Sequence, residues 1–265
     1  MGKNWHLQDL RDFTVQIQDP ENKVTVGTGI AISKDRILTC AHVVAAALDL
    51  TKGEEKNVGV YFPRFQGRAE VNRVAEVDCC LSDHDDDIVS LRLLDGMAPL
   101  GPEQYPRLGS AEESEGNPFK SYGYSPISGY PATRADGIIM GSVEPPKNKK
   151  LLTDPIQLKS TQIDRGMSGS AVLDAELDRV VGLVSERYFP RGLVKGDIAY
   201  AVDNVVLTFD PFLLDLQDEN FPKRPTTVPK IDKDDPRAKV APRQPVHWNN
   251  APSPLEEWTG RTDLL

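Results

Sequence analysis

Short β-branched and apolar segments recur along the chain, and this repetition restricts the fold more than any other feature. They are FTVQI (13–17), VTVGTGIAI (24–32), VGVYF (58–62), DIVSLRLL (87–94), GIIMGSV (137–143), SAVLD (170–174), RVVGLVSERY (179–188) and IAYAVDNVVL (198–207). Gly, Pro, Asn and Asp separate the segments, as is typical of strands joined by turns. The pattern predicts an all-β fold and leaves a barrel and a sandwich open.

Helices and a linker are predicted at fewer places. RILTCAHVVAAALDL (36–50) begins as a strand and turns helical near Val43, and PFLLDLQDE (211–219) predicts a short C-terminal helix. Residues 221–255 then hold eight of the 21 prolines, many charges and few apolar residues. Such a stretch buries too little surface to fold, so we expect a disordered, semi-stiff linker after a folded domain at 1–220.

The charge balance limits the partners of the protein. Lys and Arg number 31 against 40 Asp and Glu, which gives a net charge of −9. Phosphates and acidic lipids would be repelled, so we expect neither nucleic acid nor a membrane as a partner. The N-terminus lacks the apolar run of a signal peptide, and no run approaches the roughly 18 apolar residues of a membrane span.

Cysteine usage bears on metals and on the compartment. The chain has three cysteines, Cys40, Cys79 and Cys80, and none of their spacings is CxxC. We therefore predict no zinc or other metal site. Few thiols and no export signal favour a reducing cytoplasm as the location.

Three residues carry the strongest signal for chemistry. A serine hydroxyl such as that of Ser168, in GMSGSAV, needs a base to take its proton, and the base needs a partner to orient it. His42 ends an apolar strand in ILTCAHVV, and Asp87 opens DIVSLRLL, so we predict a catalytic set of His42, Asp87 and Ser168. The neighbouring glycines let backbone N–H groups converge, which predicts an oxyanion hole at Gly166 and Ser168.

Each piece alone has a simpler interpretation. GMSGS is usually a turn, and HDDD (84–87) is usually a solvated acidic loop. A histidine after a strand is usually a rim residue of the core. The order His, Asp, Ser and the strand-like flanks of all three positions favour the catalytic interpretation.

The motifs GTGIAI, ILTCAHVV, DIVSLRL, GMSGSAV and VVGLVSERY together resemble the trypsin-like, chymotrypsin-fold serine peptidases. The bacterial Deg (high-temperature-requirement) type is the most similar, and the resemblance covers about residues 8–210. It implies two six-stranded antiparallel β-barrels, at about 8–105 and about 115–210, with the active site in the cleft between them. No cofactor is implied, and the implied substrate is a protein or peptide.

The same resemblance implies a role for each residue. His42 would act as general base and then general acid, Asp87 would hold its tautomer, and Ser168 would attack the peptide bond. Gly-Gly often follows the nucleophile in the family, whereas Gly169-Ser170 stands here, a tolerated variation.

Substrate-binding positions follow from the resemblance as well. Ser185, Glu186 and Arg187 match the strand that pairs with an extended substrate backbone. Gln162, six residues before the nucleophile, occupies the position that sets primary specificity, and it is neither a trypsin-like Asp nor clearly apolar. Arg187 would favour an acidic substrate side chain and Glu186 a basic one, so both preferences stay open.

The last residues resemble a second family. EEWTGRTDLL (256–265) is similar to the F-V-G-R-x-x-x-L opening of STAND-type signalling NTPases, which are NLR-like regulators. The resemblance implies that a following, truncated domain starts at 256–265. It also implies that the peptidase is the effector of a bacterial signalling or antiphage defence protein. A chance surface segment is the alternative.

Two rival functions make different demands on the sequence. An α/β-hydrolase needs Gly-x-Ser-x-Gly and a histidine after the serine; position 170 is Ser, and the only later histidine is His247 in the linker. That class is therefore rejected. The second rival is a catalytically latent or inactive trypsin-like module that acts in protein–protein interaction, in which the oxyanion loop is ordered only by a partner.

Overall fold

A computed structural model of the protein describes residues 8–48, 57–80, 86–124, 131–145, 147–151, 153–164, 166–188 and 196–201. In these ranges the chain forms twelve β-strands, two α-helices and one short 3₁₀ helix. The predicted helix at 211–219, the linker at 221–255 and the start of a next domain at 256–265 lie outside the described residues.

The first barrel is closed by six antiparallel strands. They are β1 (Thr14–Gln18), β2 (Thr25–Ala31), β3 (Arg36–Thr39), β4 (Asn57–Phe62), β5 (Val71–Cys80) and β6 (Val89–Leu93). They pair in the order β1-β2-β3-β6-β5-β4, and β4 returns to β1. Helix α1 (Leu10–Phe13) precedes β1, and α2 (Ala41–Leu48) follows β3. The interior of this barrel includes the buried side chains of Val15, Ile17, Ile37, Val60, Phe62 and Leu91.

The second barrel repeats this plan after the 3₁₀ helix at Pro102–Gln104. Its strands are β7 (Pro118–Gly123), β8 (Thr133–Ser142), β9 (Pro155–Lys159), β10 (Ala171–Asp174), β11 (Arg179–Tyr188) and β12 (Gly196–Ala201). They pair antiparallel in the order β10-β11-β12-β9-β8-β7, and β7 closes onto β10. Its interior includes Phe119, Ile139, Ile156, Leu158, Val172 and Val181.

This architecture confirms the all-β prediction and selects barrels over a sandwich. The longest α-helix within the described ranges has eight residues, and no helix there has the length and hydropathy of a bilayer crossing.

A third apolar cluster, here called the seam cluster, joins the two barrels. Its buried members are Leu10, Phe13, Ile30, Ile32, Leu38 and Ile88 from α1 and the first barrel, and Leu108, Ala171, Leu173, Val180, Leu183 and Tyr200 from the second half. The cluster brings the end of β3 and the start of β6 against β10 and β11. This contact is what gathers residues that are far apart in the sequence.

Strands at the seam are buried on both faces, which explains their unbroken apolar runs. In β10, Val172 packs inside the second barrel, whereas Ala171 and Leu173 pack in the seam cluster. In β3, Ile37 packs inside the first barrel and Leu38 in the seam cluster. The runs IL (37–38) and AVL (171–173) are therefore apolar at consecutive positions, not at alternate ones.

Candidate active site

His42 lies in the first turn of α2, at the rim of the first barrel. Cys40 is fully buried just before the helix, and Val43 and Val44 pack into the barrel core. These contacts fix the helix start, while the His42 side chain keeps half of its surface exposed (50%). The helix start thus holds the base of the imidazole in place while half of the side chain stays exposed.

Asp87 lies two residues before the start of β6 and binds His42 through both carboxylate oxygens. Its Oδ1 accepts a hydrogen bond from the His42 backbone N–H at 3.0 Å. Its Oδ2 lies 2.6 Å from His42 Nδ1. One oxygen therefore satisfies a free N–H in the first turn of α2, and the other orients the ring.

The ionisation of Asp87 sets the tautomer of His42. Burial alone would raise the pKa of Asp87, but hydrogen bonds from the His42 ring, the Ser185 hydroxyl and the His42 N–H outweigh it and hold the pKa below its ordinary value. The group is therefore an anion, which only accepts hydrogen bonds. Nδ1 must therefore carry a proton, and in the neutral ring Nε2 is the nitrogen without one.

Ser168 lies in the tight turn that precedes β10. Gly169, the next residue, has φ +86°, and a Cβ there would lie 1.9 Å from the Thr28 carbonyl oxygen. Only glycine fits this contact between the barrels. The departure at Ser170 also has a structural explanation, because its buried Oγ lies 2.8 Å from Ser121 Oγ, so each hydroxyl satisfies the other.

Ser185 connects the carboxylate to the serine. Its hydroxyl donates to Asp87 Oδ2, and its carbonyl accepts from Ser168 Oγ at 3.3 Å. The pairing of β11 with β12 shifts register between Val184 and Glu186, so Ser185 is the extra residue of a β-bulge. A bulge re-aims a side chain out of the regular alternation, and here it turns Ser185 toward Asp87.

The two N–H groups predicted to form an oxyanion hole are available. Within the part of the chain that the structure describes, neither Gly166 nor Ser168 uses its backbone N–H in a hydrogen bond. Their neighbours do: the N–H groups of Met167, Gly169 and Ser170 donate to the carbonyls of Asp164, Val184 and Met167. Gly166 has φ +89°, a conformation that side chains rarely adopt.

The predicted specificity residues are less closely tied to this centre. Gln162 is exposed, and its side-chain oxygen accepts from the Asp136 N–H at 3.0 Å. Glu186 and Arg187 pair through their backbones with β12, and their side chains lie outside the described residues. Substrate binding by these residues, and by the backbone of Ser185, stays a prediction.

Cys40 lies beside His42 and Asp87, and all three side chains are of types that can bind a metal ion. Candidate ligand atoms of the three residues lie within 4.8 Å of one another. The thiol donates to the Val184 carbonyl at 3.3 Å, and burial, followed by the nearby Asp87 charge, raises its pKa well above the usual range. Because metals bind the thiolate and not the neutral thiol, this group is a poor ligand as it stands.

Two contributions to the centre were missed from the sequence. The Ser185 hydroxyl was overlooked because only its backbone was considered; a serine inside the apolar run RVVGLVSERY was the available signal. Thr28, which contacts the Ser168 turn, was interpreted only as part of a strand. Its signal was a threonine between two glycines in VTVGTGIAI.

Comparisons with known proteins agree with the fold. The sequence matches the family model for the trypsin-like peptidase domain over residues 27–183, a range that contains His42, Asp87 and Ser168. No curated protein matches the chain significantly.

Solved structures with the same fold are distant in sequence. Deg5 shares 21% identity at a TM-score of 0.57, covering 77% of this chain and 90% of its own. The HtrA-type protease AlgW with a decapeptide shares 16% identity at a TM-score of 0.51, covering 78% of this chain and 62% of its own. Rv3671c from M. tuberculosis H37Rv, in an inactive form, shares 20% identity at a TM-score of 0.50, covering 74% and 85%.

Proposed function

The chain belongs to the trypsin-like peptidase domain family, and from this membership we propose that it is a serine endopeptidase that cleaves a protein substrate through an acyl-enzyme. The observation that carries the proposal is the double contact of Ser185. Its hydroxyl donates to Asp87, which holds His42, and its carbonyl accepts from Ser168. Ser185 of β11 therefore links the carboxylate that holds the imidazole to the Ser168 hydroxyl.

In the first half of the reaction, Ser168 Oγ forms a bond to the carbonyl carbon of the substrate. Its proton passes to Nε2 of His42, and the negative charge of Asp87 stabilises the imidazolium that results. The oxygen of the tetrahedral intermediate takes the electron pair, and the N–H groups of Gly166 and Ser168 are the donors available to it. Donors fixed in advance lower the barrier because they need no reorganisation during the reaction.

The second half releases both products. The C–N bond breaks as His42 gives its proton to the leaving amine, and an acyl group stays on Ser168. Water then repeats the sequence, with His42 taking its proton and returning it to Ser168 as the acid leaves.

The substrate is proposed to be an extended peptide. It would add to β11 at Ser185, Glu186 and Arg187 through backbone hydrogen bonds. Gln162 would contact the side chain before the scissile bond, and its amide accommodates polar groups. AlgW, of the same fold, was solved with a decapeptide, which supports a peptide ligand.

A fluorophosphonate probe tests the proposal without knowledge of the substrate. The probe should label wild-type protein and fail to label Ser168→Ala, because it bonds only to an activated serine. On a peptide substrate, Ser168→Ala should lower kcat on the order of 10⁴–10⁶-fold. Ser142→Ala, which removes an exposed serine at the end of β8, is the matched control and should label normally. Equal labelling of wild type and Ser168→Ala would contradict the proposal.

A latent form is the second candidate, and one observation favours it. The Ser168 hydroxyl donates to the Ser185 carbonyl, so its proton must swing toward His42 before transfer. A partner that orders this region would then switch the peptidase on. Labelling that requires the longer protein or a partner would identify this form. Absence of labelling under every condition would indicate an interaction module.

The biological setting proposed is that of an effector in a bacterial signalling or antiphage defence protein. The support is EEWTGRTDLL at 256–265, which is similar to the opening of STAND NTPases. The few cysteines, including the free thiol of Cys40, favour the cytoplasm. The test is the encoded sequence after Leu265. A nucleotide-binding glycine loop there supports the setting, and a stop codon or an unrelated domain contradicts it.

A further inference from the structure

Thr28 is the central residue of β2 in the first barrel and is fully buried. It contacts the turn before β10 that carries the proposed nucleophile, Ser168. Its N–H donates to the Ser168 carbonyl at 3.0 Å. Its hydroxyl donates to the Gly166 carbonyl at 2.9 Å and accepts from the Tyr124 N–H at 2.9 Å. Its own carbonyl accepts from the Thr39 hydroxyl at 2.6 Å.

These contacts fix both ends of one short segment. Gly166 and Ser168 bound a three-residue stretch, and each of them carries one of the two available N–H groups. With both carbonyls bonded to Thr28, the peptide units after Gly166 and after Ser168 are fixed in orientation. The Ser168 N–H belongs to the peptide unit between these two fixed units. The Gly166 N–H belongs to the peptide unit just before the first of them.

The direction of the Thr28 hydroxyl is also determined. A hydroxyl has one hydrogen to donate, and its lone pairs accept. The Tyr124 N–H occupies a lone pair of Thr28 Oγ, which directs the hydrogen to Gly166. Because Thr28 itself is fully buried, no solvent takes the place of its hydroxyl if that group is removed.

We propose that Thr28 is the positioning residue of the oxyanion hole, holding the N–H groups of Gly166 and Ser168 in register from the opposite barrel. The inference rests on the proposed function, because these donors matter only if Ser168 forms a tetrahedral intermediate. Thr28 touches neither substrate nor reacting atoms. It affects the rate of the reaction at Ser168 by orienting the two N–H donors. Because Thr28 belongs to the first barrel, that orientation depends on how the two barrels pack together.

A graded series of substitutions tests the inference. The measurement is the second-order rate constant for fluorophosphonate labelling of the full chain. Thr28→Val keeps the shape and loses the hydroxyl, so the rate should fall roughly 10- to 100-fold, below the loss caused by deleting a donor outright. Thr28→Ser keeps the hydroxyl and should stay within about threefold of wild type. Thr28→Cys offers a weak donor and should be intermediate.

A pH profile separates positioning from general damage. The side-chain hydrogen bonds of Thr28 among the described residues go to Gly166 and Tyr124, so Thr28→Val should lower the plateau of the labelling rate without moving its midpoint. Thr14→Val is the matched control, since Thr14 is equally buried and donates its hydroxyl to the Leu10 carbonyl at 2.5 Å. It should lower the melting temperature and leave the rate unchanged.

The outcomes distinguish the two proposals. Wild-type rates for Thr28→Val, equal losses for Val and Ser, or an equal loss for Thr14→Val would each overturn the positioning role alone. If Thr28→Val does not fold, equal rates for Thr28→Cys and Thr28→Ser would overturn it. Failure of the wild type to label under any condition would overturn the proposed function, and this inference with it.

Discussion

At the scale of single residues, Asp87 shows how burial and hydrogen bonding compete. Burial raises the pKa of this carboxyl, and the bonds from the His42 ring, the Ser185 hydroxyl and the His42 N–H lower it further than burial raises it. A carboxyl with a lowered pKa in the folded protein stabilises the fold above its unfolded pKa of about 3.9. That stability is lost as the pH falls through the lower, folded value.

The prediction compares wild type with Asp87→Asn across this pH range. The difference in melting temperature should shrink as the pH falls below about 4, where wild-type Asp87 takes up a proton. Thermal melts at intervals from neutral to acidic pH measure it. Ser185→Ala removes one of the bonds that lower the pKa and should move the transition to higher pH. A difference that grows on acidification would contradict the assignment.

Residue identity was easier to predict than residue contact. His42, Asp87 and Ser168 were predicted from their types and flanks, and the structure brings Nδ1 of His42 to 2.6 Å from Oδ2 of Asp87. The contacts of Ser185 and Thr28 were not predictable. Both contacts join positions more than 90 residues apart, and that of Ser185 also depends on a β-bulge. Secondary-structure propensity and spacing in the sequence do not determine such contacts.

At the scale of elements, the turn before β10 is fixed by steric contact. Gly169 has a positive φ and lies against the Thr28 carbonyl of β2, so this turn is pressed onto the other barrel. Gly116, in the turn before β7, has φ +85°, and none of the described residues comes within 4 Å of the point where a Cβ would lie. The two glycines share a backbone conformation and differ only in the room that is available for an added Cβ atom.

The pair gives a matched experiment. Gly116→Ala should cost about 1–2 kcal/mol of folding free energy, the strain of a positive φ alone. Gly169→Ala adds a collision with backbone and should cost on the order of 4 kcal/mol or more. Urea unfolding of both variants measures the difference. Equal costs would show that the seam yields easily to an added methyl group.

Strand prediction succeeded for most strands and missed β5, β7 and β9. RVVGLVSERY coincides with β11, and SAVLD contains β10. The strand β7 was missed because its inward positions include Ser121, whose hydroxyl is satisfied only by the distant Ser170. The strand β5 was missed because charged residues interrupt its apolar positions. The resemblance to a family, not the pattern, predicted that the strands close into two barrels.

At the scale of the whole molecule, the seam cluster makes the two barrels one folding unit. The chain divides into Met1–Arg224 and Pro225–Leu265, and both barrels belong to the first unit. The apolar side chains that bury the seam come from both halves. Nothing in the composition of 221–255 offers comparable apolar surface.

Truncation tests this division. A chain ending at residue 221 should keep its melting temperature within about 2 °C of the full chain, because the proline-rich segment has little to bury. Calorimetry of both proteins measures it, and a fluorophosphonate labelling rate run in parallel shows whether the site is retained. A large fall in melting temperature would show that the removed segment packs on the barrels.

The division of the centre between two barrels has a consequence for biosynthesis. A ribosome that has released the first 105 residues has produced the imidazole and the carboxylate, but the hydroxyl is still untranslated. Under the proposed function, neither half alone can cut the emerging polypeptide or its neighbours. The proposed activity then arises in one step, when the later half docks, so nascent chains are safe from the proposed peptidase until its own synthesis has passed the second barrel.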